Sequence, residues 1–344
     1  MKKIISMLLA LAMIFCLAAC SSSEAPAPAD GGETPEAEDL PITGQTDTLY
    51  LSMGTSSIGG SSYVVGGGLS KLFNEHIPGL DVAVEVTGGP QTNLELMDQG
   101  DAEMGLITAW AAMQAWNGEG WATHEMRNHR SVAPLWCSYF YILTRADSPI
   151  NTLADINGMN VAAGSPGSSS DLIATELIEF FGLTPKSYSP LTADAQKDGF
   201  RDGTLDCIFI VNGNPSPAIT DLQTTNDLKF ISFTEEEMAK IKAEKPYWGW
   251  GIISQDSYED LTGDYDAIAL YQLLYVDKDL PDTLVYEMTK EIFDYHDDLV
   301  NVDQGLKDSK IEKIDTATTP LHPGAYKYYQ ENGVAVPDAG MPID

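Results

Sequence analysis

From Thr48 onward, apolar and polar positions alternate in short blocks that predict strand, glycine-containing turn and helix in repetition. Thr48-Leu-Tyr-Leu-Ser-Met53 reads as a strand ending at Gly54, and a helix is predicted from about Tyr63 to His76, closed by Pro78-Gly79. A second strand, Asp81-Val-Ala-Val-Glu-Val86, ends at Thr87-Gly88-Gly89. Asn93 to Gln99 reads as helix with Gly100 behind it, and Met104-Gly-Leu-Ile-Thr108 as a third strand. The pattern restarts at Met159-Asn-Val-Ala-Ala163, followed by Gly164-Ser-Pro-Gly-Ser-Ser-Ser170, a helix from about Asp171 to Phe181, and the strand Leu205-Asp-Cys-Ile-Phe-Ile-Val211. Such βαβ repetition predicts an α/β protein with largely parallel sheets in two lobes. Tyr139 to Asp147 and Ala269 to Asp277 are each an apolar strand ending in a charged turn. They are read as two crossings between lobes, which assigns 47–139 with 274–344 to one lobe and 140–273 to the other. Short apolar strands resemble one another, so their likeness alone does not establish the pairing.

The start of the chain has a different pattern. Met1-Lys2-Lys3 precedes an apolar run from Ile4 to Phe15 and the tetrapeptide Leu17-Ala18-Ala19-Cys20, with Ser21-Ser22-Ser23 behind it. The apolar core is too short to span a bilayer stably, so residues 1–19 read as a secretory signal. The tetrapeptide resembles the lipobox of bacterial lipoproteins. That resemblance implies that Cys20 receives a diacylglyceryl group, becomes the first mature residue and anchors the protein to the outer face of the cell membrane, two acyl chains giving stable attachment. Residues 21–46 are rich in Ala, Pro, Glu, Asp and Gly without apolar periodicity, which predicts a disordered tether spanning roughly 30 Å.

The formal charge of −32 argues against nucleic acid and anionic lipid as partners, because both would be repelled. Of four cysteines, Cys16 lies in the signal and Cys20 is the expected lipidation site, leaving Cys137 and Cys207 in the folded part. An oxidising compartment permits a bridge between them, and buried free thiols are an equally ordinary state.

Catalytic signatures are poor. His124-Glu125 with His129 has the second histidine one residue too late to share a helical face with the first, and no nucleophile elbow, phosphate-binding lysine loop or Cys-x-x-Cys pair is present. No catalytic residue, metal ligand or cofactor is therefore assigned. What stands out is a set of small polar residues between strand ends and helix starts. These are Gly54-Thr-Ser-Ser-Ile-Gly-Gly-Ser-Ser62, Thr87-Gly-Gly-Pro-Gln-Thr-Asn93 and Gly164-Ser-Pro-Gly-Ser-Ser-Ser170. In open α/β sheets ligands bind at that position, where glycines admit close approach, hydroxyls donate, and helix-start N–H groups favour an anion. The same residues also favour caps and turns. Trp110, Trp136, Trp248 and Trp250, with Tyr139 and Tyr247, are candidates for an aromatic wall or for core packing.

Met53 to Ser70, Val84-Glu-Val-Thr-Gly-Gly89 with Asn93, Ala115-Trp-Asn-Gly-Glu-Gly120, Gly164-Ser-Pro-Gly-Ser168 and Pro320-Leu-His-Pro-Gly-Ala325 resemble, in order, the TAXI family of TRAP-associated extracytoplasmic solute receptors. The resemblance runs from about Thr48 to about Val334. It implies a two-lobed type II periplasmic-binding-protein fold with a hinge of two crossing strands. It also implies a non-enzymatic receptor that closes on a small solute, organic acid or amino-acid-like and with room for an apolar portion, and delivers it to TRAP transporter membrane subunits. By matched position, Gly54, Thr55, Ser56, Gly59 and Ser61 form the first ligand loop, Gly88, Gly89 and Asn93 the second, and Gly167, Ser168 and Ser170 the third. Ser62-Tyr63-Val64 stands where the family usually has a tyrosine pair and a proline, Thr108 and Trp110 where Gln and Asp are frequent, and Pro90 where Ser is common. Because these departures fall near the implied pocket, Thr108 and Trp110 join the ligand set. Arg145, at a strand end, reads equally as a structural residue or a ligand clamp. A receptor for an ATP-driven importer or a sensor kinase, and a hydrolase using Ser168, remain alternatives.

Overall fold

A computed structural model describes residues 42–343, so the signal segment, Cys20 and most of the tether lie outside the described residues. Three parallel strands come first: β1 (Leu49–Gly54), β2 (Leu80–Glu85) and β3 (Met104–Thr108), alternating with α1 (Ser61–His76), α2 (Pro90–Gln99) and α3 (Ala109–Asn117). A long strand, β4 (His129–Arg145), then leads to a second set. It contains β5 (Asn160–Ala163), α4 (Ser169–Phe181), β6 (Ser187–Pro190), α5 (Ala193–Arg201), β7 (Cys207–Asn212), α6 (Pro217–Gln223), β8 (Leu228–Phe230), α7 (Glu235–Glu244) and β9 (Gly249–Ile253). The chain returns along β10 (Tyr265–Asp277) and finishes with α8 (Asp282–Asp294), α9 (His296–Val302) and α10 (Pro323–Glu331).

The strand order is β2-β1-β3-β10-β4-β7-β5-β6, with β8 on β4 and β9 on β10. Each end of the sheet is a parallel α/β unit, and the two meet at β4 and β10, which pair antiparallel from Ala269 opposite Tyr139 to Asp277 opposite His129. The two apolar runs read as crossings are therefore neighbours in the sheet, and the type II periplasmic-binding-protein architecture with two crossing strands is the one observed. Every residue of β3 is buried, and so is nearly all of β4, because helices cover both faces of such a sheet.

Local chemistry places the elements. Ser168, Thr192, Ser216 and Thr234 each accept a hydrogen bond from an N–H in the first turn of the helix that follows, and Thr234 with Glu237 completes a capping box. Gly100, Gly118 and Gly182 end α2, α3 and α4 in the left-handed conformation. The helices start two or three residues earlier than the apolar pattern predicts, since their first turns carry serine and proline rather than apolar side chains.

Cys137 and Cys207 are both buried free thiols. Cys207 pairs with Thr144 of β4, seven residues along that strand from Cys137. At about 3.3 Å per residue the two lie about 23 Å apart along the strand, far beyond bridging distance. Burial raises the Cys137 thiol to about 11 and the Cys207 thiol further. A reductant should accordingly leave the melting temperature of the folded body unchanged, and a drop of several degrees on reduction would contradict this pairing.

The imidazole of His129 is fully enclosed, and this burial, with repulsion from Arg130 and Arg127, lowers its pKa from 6.5 to about 3 against the opposing hydrogen bond of the Ala112 backbone. Between those values the unfolded chain binds a proton that the folded chain does not. The contribution is thus intact above pH 6.5 and lost progressively as pH falls towards 3. Urea titrations across this window should show His129→Gln flattening the pH slope of stability by up to about 1.4 kcal/mol per pH unit. An unchanged slope would mean that His129 protonates in the folded state.

Candidate functional site

The loops that follow β1, β2 and β5 converge on one cavity of about 130 Å³. Its lining takes Ser56, Gly59 and Ser61 from the first loop, Gly88 and Gly89 from the second, and Ser168 and Ser170 from the third. By the one-water measure of some 10 to 15 Å³, it has room for a solute of about ten non-hydrogen atoms. The first loop also brings Ser57, Gly60 and Ser62, and the third brings Gly164, Ser165 and Ser169.

Other sequence-predicted residues lie behind this lining. Asn93 is fully buried and donates from Nδ2 to the carbonyls of Thr55 (2.9 Å) and Leu106 (3.0 Å), while its Oδ1 accepts from Thr87 Oγ1 (2.7 Å). Thr55 donates to the Glu85 carbonyl at 2.7 Å. Asn93 and Thr55 thus tie the loops after β1 and β2 to β3 instead of facing a solute, with Gly54 packed directly against the Asn93 amide. Gly167 does not line the cavity, and its carbonyl accepts from the Gln91 N–H at 3.2 Å. Thr108 and Trp110 are buried and do not line the cavity. Trp110 packs edge-on against Trp248 with ring centroids 5.8 Å apart. Trp250 packs against Phe233, and Trp136 is the tryptophan that reaches the cavity wall. Arg145 donates to the carbonyls of Phe200 and Leu205, a structural role.

Two of the serines also hold the frame. Ser168 Oγ caps α4 by accepting from the Asp171 N–H, and Ser170 Oγ accepts from the Val211 N–H at 2.8 Å, joining α4 to β7. Replacing either by alanine therefore removes a structural bond as well as a cavity hydroxyl.

The two halves meet closely at the mouth. Ser61 Oγ donates to Asn212 Oδ1 at 2.8 Å, from the start of α1 to the end of β7. Gly89 has φ 126°, and a side-chain carbon there would stand 3.0 Å from Ser168 Cα; one on Gly88 would stand 2.6 Å from the Pro166 carbonyl oxygen. Only glycine permits this backbone-to-backbone approach.

β4, β7, β10 and α5 also contribute to the lining. Trp136 was a candidate for an aromatic wall or for core packing, whereas Ser138, Ile210 to Asn212, Gln272, and Gln196 with Lys197 were not assigned to the site by sequence reasoning. Gln272 carried a visible signal, as a polar residue inside the apolar run Ala269 to Asp277. Lys197 is the one titratable side chain of the lining, and its ammonium is paired with Asp221 (3.1 Å) and Asp194 (3.2 Å). Its pKa is raised, chiefly by the hydrogen bond to Asp221, so it stays protonated. Among the described residues no histidine, cysteine or carboxylate lines the cavity, so none of these faces Ser168 across it. Among the described residues no cluster of His, Cys, Asp or Glu is placed to hold a metal ion, and no helix is long and apolar enough to cross a membrane.

Residues 53–333 match the NMT1-like family. The chain belongs to that family. Solved structures similar to this NMT1-like chain include the substrate binding protein of an amino acid ABC transporter (14% identity over 76% of this chain and 100% of that one, TM-score 0.43). Others are the periplasmic aliphatic sulphonate binding protein SsuA from Escherichia coli (15%, 83% and 79%, TM-score 0.42) and the arginine-, lysine-, histidine-binding protein ArtJ from Geobacillus stearothermophilus (12%, 78% and 99%, TM-score 0.46).

If Asn93 is a framework residue of this NMT1-like fold, Asn93→Ala should lower stability by about 2 to 4 kcal/mol, since buried carbonyls and a hydroxyl lose their partner. Chemical denaturation would measure this, and a change below about 0.5 kcal/mol would show that the loops are held by other means.

Proposed function

We propose that this NMT1-like protein is an extracytoplasmic solute receptor that holds a small, carboxylate-bearing molecule between its two α/β lobes, 47–139 with 274–344 and 140–273. The observation that carries the reading is the cavity itself, formed where strand-end loops of both halves converge and lined by hydroxyls and backbone rather than by a catalytic pair. α1 has no side-chain cap, the residue before it being Gly60, so its first-turn N–H groups are left to bind an anion; α2 is also uncapped, but it starts with Pro90, which has no N–H, and its Gln91 N–H is taken by the Gly167 carbonyl. The strongly acidic surface does not oppose this. Distant charges are screened over about 8 to 10 Å, whereas helix starts and hydroxyls act at contact. The ligand loops proposed are those matched by sequence, with Gly54, Thr55, Asn93 and Thr108 acting as their support.

The signal segment and Cys20 support a lipid-anchored receptor at the cell membrane, and the TAXI resemblance supports delivery to a TRAP-type secondary transporter. Uptake by membrane vesicles separates this from the other partner. Receptor-dependent uptake driven by an imposed ion gradient is expected, and uptake that requires ATP instead would assign the receptor to an ATP-driven importer.

Solute capture is tested by melting the full chain, cleared of co-purified ligand, against small carboxylates, amino acids, phosphonates and aromatic acids. A ligand present at a thousandfold excess over its dissociation constant should add about 4 kcal/mol of stability. A flat screen across these classes, with the protein well folded, would reject the reading.

A further inference from the structure

The wall of the cavity contains an enclosed amide oxygen that the described framework leaves unpaired. Gln272 is 4% exposed, lines the cavity, and its Oε1 has no hydrogen-bond partner among the described residues. A buried amide oxygen without a partner is costly, so such an atom at a ligand cavity implies a group that is completed from outside the chain.

Its position comes from the strand crossing. Gln272 stands opposite Thr108 of β3 and opposite Trp136 of β4, so these three side chains form one row across the sheet. Thr108 Oγ1 is also buried without a partner, whereas Trp136 Nε1 is satisfied by donating to Ser138 Oγ at 2.9 Å. Immediately after Gln272 the β10–β4 register shifts, because Leu273 pairs with Pro134 and Leu135 is left as an extra residue. Pro134 has no N–H to donate to the ladder, and a bulge at that point turns the neighbouring side chain out of the regular pleat.

We propose that Gln272 determines specificity by accepting a hydrogen bond from the solute, so that the receptor takes small acids bearing an N–H or O–H donor in preference to the same acids without it. This rests on the receptor reading above and names its substrate class. The uncapped start of α1 addresses the carboxylate, and the Gln272 amide addresses a second group beside the indole of Trp136. Lys197 does not compete for this role, since its ammonium is already shared between Asp194 and Asp221.

The test uses trios of C3 to C5 acids with one carbon skeleton, unsubstituted, hydroxy and amino, titrated calorimetrically into the full chain. The wild type should bind the donor-bearing members of at least one trio about tenfold or more tightly than the unsubstituted acid. Gln272→Leu should retain the unsubstituted acid and lose the preference. Gln272→Glu, which keeps the shape and adds charge, should move the order towards the amino member and covers the case in which the leucine variant fails to fold. Equal affinities within every trio, a preference that survives Gln272→Leu, or an unaltered hydroxy-to-amino order in Gln272→Glu would each overturn the assignment while leaving the receptor intact. No heat and no thermal shift with any acid would overturn the receptor reading, and this assignment with it.

Discussion

The structure depends on the antiparallel pairing of β4 with β10. Each strand carries one half of the molecule at each end, and together they are the seam of a sheet whose outer parts are parallel. Parallel strands need crossover helices and are buried on both faces, so each half brings its own covering. The seam must therefore be apolar along most of its length and still hold the halves in register. Its shifts at Gln272/Leu273 and Leu274/Tyr275 are local departures from a long, regular ladder. The first of them lies at the cavity wall.

Much of this was legible from the residues. The strands that end in Gly54, Thr87-Gly88-Gly89 and Gly164 announce themselves through a short apolar run followed by small residues, and all three loops reach the cavity. The two crossing strands were visible because sequences able to be buried on both faces are apolar at successive positions. The first half of β4 was not, since Pro134 and the buried Arg130 and Ser131 break the apolar run. Burial there is supplied by α8, α10, the C-terminal turns and, at His129, Trp116 of α3, which a local pattern cannot see.

The site was legible in its loops and obscure in its walls. Asn93, Thr55 and Thr108 are small polar residues between strand ends and first helical turns, as are Ser56 and Ser61, and nothing in a linear sequence separates a polar group that faces a cavity from one that binds the strand behind it. The separation is made by the sheet, which turns Thr55 towards the Glu85 carbonyl and leaves the serines of the same loop in front. Gln272 and Gln196 enter from strands and helices far along the chain, and only the fold brings them beside the glycine loops.

The bonds made by Asn93 have a wider consequence. One amide, drawing on partners from the passages after β1 and β2 and from β3 itself, fixes the back of the cavity without lining it. Ser57, Ser62, Ser165 and Ser169, which line the cavity, make no side-chain bond among the described residues. At these four positions the protein is a lock whose casing and wards are separate parts, and the wards can be recut one residue at a time because the casing does not take its strength from them, whereas Ser61, Ser168 and Ser170 belong to both.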